Sequence, residues 1–191
     1  MTPELIVIGT SLGGLKALTV LLDRLPSTLS VPVVVVQHRG IGMNGRLVTL
    51  LAERSKLRVV DAEDKMPLEA RHVYLAPADY HVLIESKGTL ALSTDPPVRS
   101  ARPSIDVLFE SAAVVYGAHL VGVVMTGASA DGADGLRCVK DRGGMAIVED
   151  PATAECSTMP SAALAATPVA AVLPLRRIAD YLVALADGAT A

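Results

Sequence analysis

At 191 residues, 51% of them hydrophobic, the chain is long enough for one domain with a full core over residues 1–191. Aromatics are only 3%, with one Phe and no Trp, which argues against a base-stacking nucleic-acid platform, and a net charge of −3 gives no general attraction to nucleic acid or anionic membrane. Met1 to Glu4 lacks the basic start of a signal peptide, the apolar region Ser161–Leu175 is interrupted by Pro168 and Pro174, and Cys138 and Cys156 form no CxxC pair. These features predict a cytoplasmic protein with two reduced thiols and no direct membrane insertion.

In chain order, Glu4–Ile8 reads as a strand, followed by a glycine-rich turn and a helix over Leu15–Leu25. Val33–Gln37 is the next strand, Gly45–Ser55 a helix and Arg58–Asp61 a third strand. Between Val73 and Thr94, "VYLA", "HVLIE" and "TLALS" break this rhythm and read as an antiparallel hairpin turning at "SKG". The Pro-rich stretch Ser93–Ser104 reads as a surface loop. Beyond it come helices Ser104–Tyr116, Ala133–Arg142, Ser161–Ala166 and Leu175–Ala186, with strands Leu120–Met125, Met145–Val148 and Val169–Leu173 between them. Continuous apolar strands such as "VVVV" suit a sheet covered on both faces. The alternation predicts an α/β fold: a doubly wound, mostly parallel sheet flanked by helices, with the hairpin inserted.

In such a sheet, ligands bind at the carboxyl ends of the strands, and the turn Gly9–Gly14, "GTSLGG", lies at one of them. It matches neither the phosphate-loop nor the dinucleotide glycine pattern, and Lys16 is out of register for a phosphate lysine. It does match G-x-S-x-G, in which a sharp strand-to-helix turn exposes a nucleophilic serine, here Ser11. The competing reading is a tight turn whose serine caps the next helix.

A serine nucleophile needs a base, and the base needs an acid. His38 follows the second strand, at the same edge of the sheet as Ser11, whereas His119 precedes a strand and falls at the opposite edge. His72 lies in a charged stretch and reads as solvated; His81 begins a hairpin strand that could fold over the site. The acid candidates are Asp131 and Asp134 in "VVMTGASADGADGL", each followed by Gly, and residue chemistry alone leaves both open as acids or as turn residues. The order Ser, His, Asp differs from that of the α/β-hydrolases, which run Ser, acid, His.

The blocks "VIGTSLGGLKAL", "VVVVQHRG", "VYLAPADYH", "RPSIDVLFESAA" and "VMTGASADGADGL", then Met159-Pro160, resemble the catalytic domain of the chemotaxis protein-glutamate methylesterases from about Leu5 to Ala165. The resemblance implies a doubly wound α/β domain with a Ser-His-Asp triad in which Ser11 is the nucleophile, His38 the base and Asp131 the acid. It implies hydrolysis of γ-glutamyl methyl esters on the cytoplasmic helices of methylated chemoreceptors, and in some members deamidation of receptor glutamines, with no cofactor. Backbone N–H groups of Leu12 and near Ala128 are the implied oxyanion donors. Arg102, with Arg39, Arg46 and Arg99, is positioned to meet a Glu-rich receptor segment. Three positions depart from the family pattern: Leu12 replaces the usual Thr, and Ala128-Ser129 replace Met-Gly. Family members often carry an N-terminal receiver domain, and with a first strand beginning by Glu4 the chain reads as a stand-alone or excised catalytic domain. Two other functions are open to the same fold, a non-catalytic receptor- or regulator-binding module and an anion- or nucleotide-binding domain.

Overall fold

The uninterrupted apolar runs at Leu5 and Val33 become strands whose alternate side chains enter two separate cores. The computed structural model describes residues 2–39 and 46–188. In chain order it contains β1 (Leu5–Thr10), α1 (Gly14–Arg24), β2 (Val33–Gln37), α2 (Arg46–Ala52), β3 (Arg58–Asp61), β4 (His72–Leu75), β5 (His81–Ser86) and β6 (Thr89–Ser93). α3 (Ile105–Tyr116), β7 (Leu120–Val124), α4 (Ala133–Asp141), β8 (Met145–Glu149), α5 (Thr158–Ala166), β9 (Ala171–Leu173) and α6 (Leu175–Ala186) follow.

Seven strands form one sheet in the order β3-β4-β2-β1-β7-β8-β9, and every neighbouring pair is parallel. On one face Ile6, Ile8, Val33 and Val35 pack with Leu18 and Leu22 of α1, Leu51 of α2 and Leu182 of α6. On the other, Leu5, Val7, Val34 and Val36 pack with Phe109 of α3, Leu136 of α4 and Ala163 of α5. Burial of each such aliphatic side chain stabilises the fold by roughly 1.5–3 kcal/mol. The core is therefore aliphatic, as the composition requires, with Phe109 its single phenylalanine.

The doubly wound sheet matches the expected class, and so does the hairpin: β5 and β6 pair antiparallel, outside the main sheet, and turn at Lys87-Gly88. Val82, Ile84 and Leu90 fasten the hairpin to the core beside α3. "VYLA" does not join it. His72–Leu75 instead inserts between β2 and β3 in the main sheet, because Val73, Tyr74 and Leu75 are apolar enough to be covered on both faces.

Several boundaries differ from expectation, and α2 ends at Ala52 rather than Ser55. β1 runs on through Gly9 to Thr10, and β9 begins only at Ala171. α5 begins at Thr158, upstream of the expected Ser161, since Pro160 sits in the first helical turn where no N–H is required of it. The expected helix start at Gly45 lies outside the described residues. Among the described residues, no helix is long and apolar enough to cross a membrane.

The chain leaves β1 to build outward through β2 on one side, then returns to build outward through β7 on the other. The sheet therefore reverses its winding beside β1. The carboxyl ends of β2, β1 and β7 are adjacent there, in the kind of crevice where open α/β sheets place their ligands.

Candidate active site

The turn after β1 is shaped by close backbone contacts. Gly13 has φ 81°, a left-handed conformation that suits glycine at the start of α1. Gly14 has no room for a side chain, because a Cβ there would lie 1.9 Å from Gln37 Oε1. These glycines serve packing and chain reversal, so they add nothing to the phosphate reading. The Ser11 N–H donates to Thr126 O (2.9 Å), while Ser11 O accepts from Gly14 N–H (2.9 Å) and Gln37 Nε2 (2.8 Å). With its backbone tied, Ser11 holds a hydroxyl that makes no hydrogen bond among the described residues. The Leu12 N–H is likewise unbonded among them.

His38 extends the β2 ladder by one residue, its N–H donating to Thr10 O at 3.0 Å. Its ring and Ser11 line the same open cleft of about 590 Å³, together with Leu12, Leu15, Lys16, Gln37 and Glu155. His38 Nε2 lies 2.7 Å from Asp131 Oδ2. A carboxylate oxygen can only accept, so the proton resides on Nε2 and Nδ1 is the basic nitrogen of the neutral ring.

Asp131 is fully buried in the loop before α4, at the N-terminus of α3. Oδ1 accepts from Ser104 Oγ (2.8 Å) and Asp106 N–H (3.1 Å), and Oδ2 from Ile105 N–H (2.7 Å) as well as His38. Burial alone pushes this carboxyl up. The hydrogen bonds from His38, the Ile105 and Asp106 N–H groups and Ser104 outweigh burial and hold it below the ordinary carboxylate value, so it is ionised at neutral pH. Asp134 points elsewhere: it pairs with Arg99 and, at 2.9 Å, with Arg137. The geometry thus divides the two aspartates that residue chemistry left equivalent.

The other histidines are occupied. His81 is buried, with Nδ1 accepting Ser104 N–H (3.2 Å) and Nε2 donating to Pro96 O (3.2 Å), so it holds the start of α3 and is neutral. His72 is largely covered rather than solvated, stacking on Tyr74 with ring centroids 5.7 Å apart. His119 lies at the opposite end of the sheet, beside Glu4 and Thr2.

Three of the four basic residues differ from an open cationic rim. The Arg39 side chain is only 3% exposed, and its Nη2 donates to Asp61 Oδ1 (3.0 Å) and Ala76 O (2.6 Å), tying the His38 segment to the ends of β3 and β4. Arg99 bridges Asp106 and Asp134. Arg102 lines a second hollow of about 360 Å³ that also touches His38, but its guanidinium is bound to Asp79, Thr94 O and Asp95 O. Arg46 is exposed. Ala128 is exposed on the β7–α4 loop and is not among the residues lining the Ser11 cleft.

Four supporting residues escaped the sequence reading. Gln37 Nε2 donates to both Ser11 O and His38 O (2.8 and 2.9 Å), clasping the two segments together. Thr126 takes Ser11 N–H on its carbonyl, and its hydroxyl donates to Leu12 O (2.9 Å) and accepts Cys156 N–H (2.8 Å). The Thr126 N–H in turn donates to the buried Glu149 Oε2 (2.8 Å). Gly127 packs so tightly on the turn that a Cβ would lie 2.9 Å from Ser11 Cβ. The available signals were a lone polar residue ending "VVVVQ" and an acid ending "AIVE", neither of which names its partner.

Comparison with known proteins places the chain in a family. A family profile described as CheB methylesterase matches residues 6–182. A putative protein-glutamate methylesterase/protein-glutamine glutaminase of Leptospira interrogans is 44% identical over 97% of this chain and 96% of its own. A protein of Clostridium acetobutylicum named protein-glutamate methylesterase/protein-glutamine glutaminase is 36% identical over 97% of this chain, which spans 54% of that protein's length. The crystal structure of the Thermotoga maritima CheB methylesterase catalytic domain superposes with a TM-score of 0.91 at 32% identity, covering 97% of this chain and all of that one. With the profile covering nearly its whole length and these relatives on either side, the chain belongs to the CheB methylesterase family.

Proposed function

We propose that the protein is a serine hydrolase that removes methyl esters from glutamyl side chains of chemoreceptor cytoplasmic helices in chemotaxis, using Ser11, His38 and Asp131. The observation that carries this reading is the 2.7 Å contact between His38 and a buried, ionised Asp131, with the Ser11 hydroxyl, unbonded among the described residues, lining the same cleft as His38.

Ser11 Oγ attacks the ester carbonyl while His38 Nδ1 takes its proton. The ring is then an imidazolium, and Asp131 stabilises it through the Nε2–H bond. The Leu12 N–H is the available donor for the oxyanion, since the Ser11 N–H is already committed to Thr126. Collapse of the tetrahedral adduct breaks the bond to methoxide, which leaves as methanol with the proton from His38. A water then attacks the acyl-serine, giving its proton to His38, and the second collapse returns that proton to Ser11 and frees the glutamate. With a glutamine substrate the same sequence releases ammonia, which would account for a glutaminase activity such as the relatives' names carry. No step calls for a cofactor.

The test is methanol release from a methylated chemoreceptor cytoplasmic fragment. Ser11→Ala is expected to lower kcat by on the order of a million-fold. Undiminished release by a folded Ser11→Ala protein would sink the serine mechanism. Retained receptor binding by a wild-type protein that releases no methanol would favour a binding module instead.

A further inference from the structure

Helices α3 and α4 exchange carboxylates at their first turns. Asp131, just before α4, accepts the N–H groups of Ile105 and Asp106 at the start of α3. Asp106, in the first turn of α3, accepts the N–H groups of Gly132 (2.9 Å) and Gly135 (2.7 Å) at the start of α4. Gly132 is the residue directly after Asp131, so Asp106 grips the peptide that carries the Asp131 side chain. The Asp106 side chain is 5% exposed, and Arg99 Nε donates to its second oxygen at 3.2 Å.

Capping alone does not explain a charge at this position. A neutral Asn or Ser caps helix N–H groups about as well as an aspartate. A second carboxylate buried beside Asp131 instead carries a penalty: burial pushes Asp106 up to about 6, the Gly135 N–H pulls it back, and the Asp131 charge pushes it up again. The groups facing it are Asp131 from the loop before α4, Arg99 from the loop before α3, and Asp134 of α4 through Arg99. His38 lies beyond Asp131, and neutral His81 of β5 holds the adjoining Ser104 N–H. A negative charge behind Asp131 acts on one further group, the imidazolium that forms at His38.

We propose that Asp106 is a positioning residue of this site: it fixes Asp131 by holding Gly132 and Gly135, and its charge reinforces that of Asp131 in stabilising protonated His38. The inference deepens the triad reading and rests on it for its effect on rate. Removing the Asp106 charge makes the imidazolium less favourable, so His38 binds its proton less tightly. The acid limb of the rate profile then moves to lower pH, while kcat falls because the same imidazolium forms along the reaction.

The experiment compares wild type with Asp106→Asn and Asp106→Ser, two neutral side chains that can accept the α4 amides. It follows methanol release from a methylated chemoreceptor fragment against pH, and the His38 ring titration by proton NMR in the resting protein. The expected result is a kcat about ten-fold lower with KM within about two-fold, and an acid limb and His38 titration each lower by about half a pH unit. Asp106→Glu, which keeps the charge, retains the wild-type acid limb even where kcat drops. An unchanged His38 titration in whichever neutral variant folds would overturn the proposal and leave Asp106 a helix cap. The NMR arm does not depend on turnover: a shifted His38 with Ser11→Ala still fully active would keep the electrostatic coupling and reject the triad reading instead.

Discussion

Asp131→Asn keeps the size of the side chain and changes which of its atoms can accept a hydrogen bond. In the native site Oδ2 accepts from Ile105 N–H and His38 Nε2, both at 2.7 Å, and Oδ1 accepts from Ser104 Oγ (2.8 Å) and Asp106 N–H (3.1 Å). An amide nitrogen in the Oδ2 place meets the Ile105 N–H donor to donor. It also donates to His38 Nε2, which drives the ring proton to Nδ1 and removes the basic nitrogen. An amide nitrogen in the Oδ1 place strands the Asp106 N–H, although the Ser104 hydroxyl can rotate to accept. His38 keeps its tautomer in that case, but its imidazolium faces a neutral oxygen.

Either orientation leaves one buried backbone donor unpaired, a loss of about 1–3 kcal/mol in stability. For a domain of this size each kcal/mol lowers Tm by roughly 2–4 °C. The rate effect is larger. Exchanging the acid of a serine triad for its amide lowers kcat about 10⁴-fold, equivalent to about 5 kcal/mol of transition-state stabilisation. Methanol release at saturating substrate measures one quantity and a thermal melt the other. A variant with kcat within about ten-fold of wild type and only a lowered Tm would refute the reasoning, because Asp131 would then be a cap for α3 and nothing more.

Substitutions at Glu149, Gly14 and Gln37 probe the support of the nucleophile turn. Burial raises the Glu149 carboxyl above its ordinary value, against the pull of the Thr126 N–H bond. A group raised on folding contributes stability that is full below its unfolded pKa, about 4.3, and is lost as pH rises through the folded value. Urea unfolding of Glu149→Gln, which keeps an acceptor for Thr126 N–H without the charge, should therefore show a flatter fall in stability with rising pH than wild type. Glu149→Ala should be about 1–3 kcal/mol less stable than Glu149→Gln at all pH values, because it leaves the Thr126 N–H unpaired; equal slopes in wild type and Glu149→Gln would contradict this account. Gly14→Ala places a Cβ against Gln37 Oε1 and should destabilise by about 1–3 kcal/mol. Adding Gln37→Ala should recover part of that loss in melting curves, and strictly additive effects would mean the two residues do not collide.

The architecture was legible because the strands carry it in their own composition. "VVVV" and "LIVIG" are apolar at every position, a pattern that a strand covered by helices on both sides requires. "VYLA" was harder, since four apolar-rich residues beside a hairpin pattern carry no mark of which sheet they join. Parallel neighbours are settled by contacts far apart in sequence, here Val35 with Leu75. In the site, Ser11 and His38 were legible as polar residues just past strand ends. The choice between Asp131 and Asp134 came only from the family resemblance and not from residue chemistry, because both precede glycine near the start of one helix. What separates them is where α3 begins, since its Ile105 and Asp106 N–H groups receive Asp131, while Arg99 and Arg137 hold Asp134 at the surface. Arg39 was misread for a related reason. A charged residue beside a strand end looks solvated until Asp61 and Ala76 are found against it.

The chain order Ser, His, Asp follows from the order of the strands. β1 is central, β2 is laid on one side of it next, and β7 is laid on the other side after the excursion through β3, β4 and the hairpin. Residues just past the ends of β1 and β2 therefore line one cleft, and the loop after β7 brings Asp131 to His38. The excursion has a second consequence, because it delivers α3 to the site immediately before β7. The first turn of α3 then points its free N–H groups at the loop that follows β7, where a carboxylate satisfies them. Asp131 is thus held in ionised form by a helix whose placement the sheet order itself requires, and His38 binds a partner that is charged before any substrate arrives.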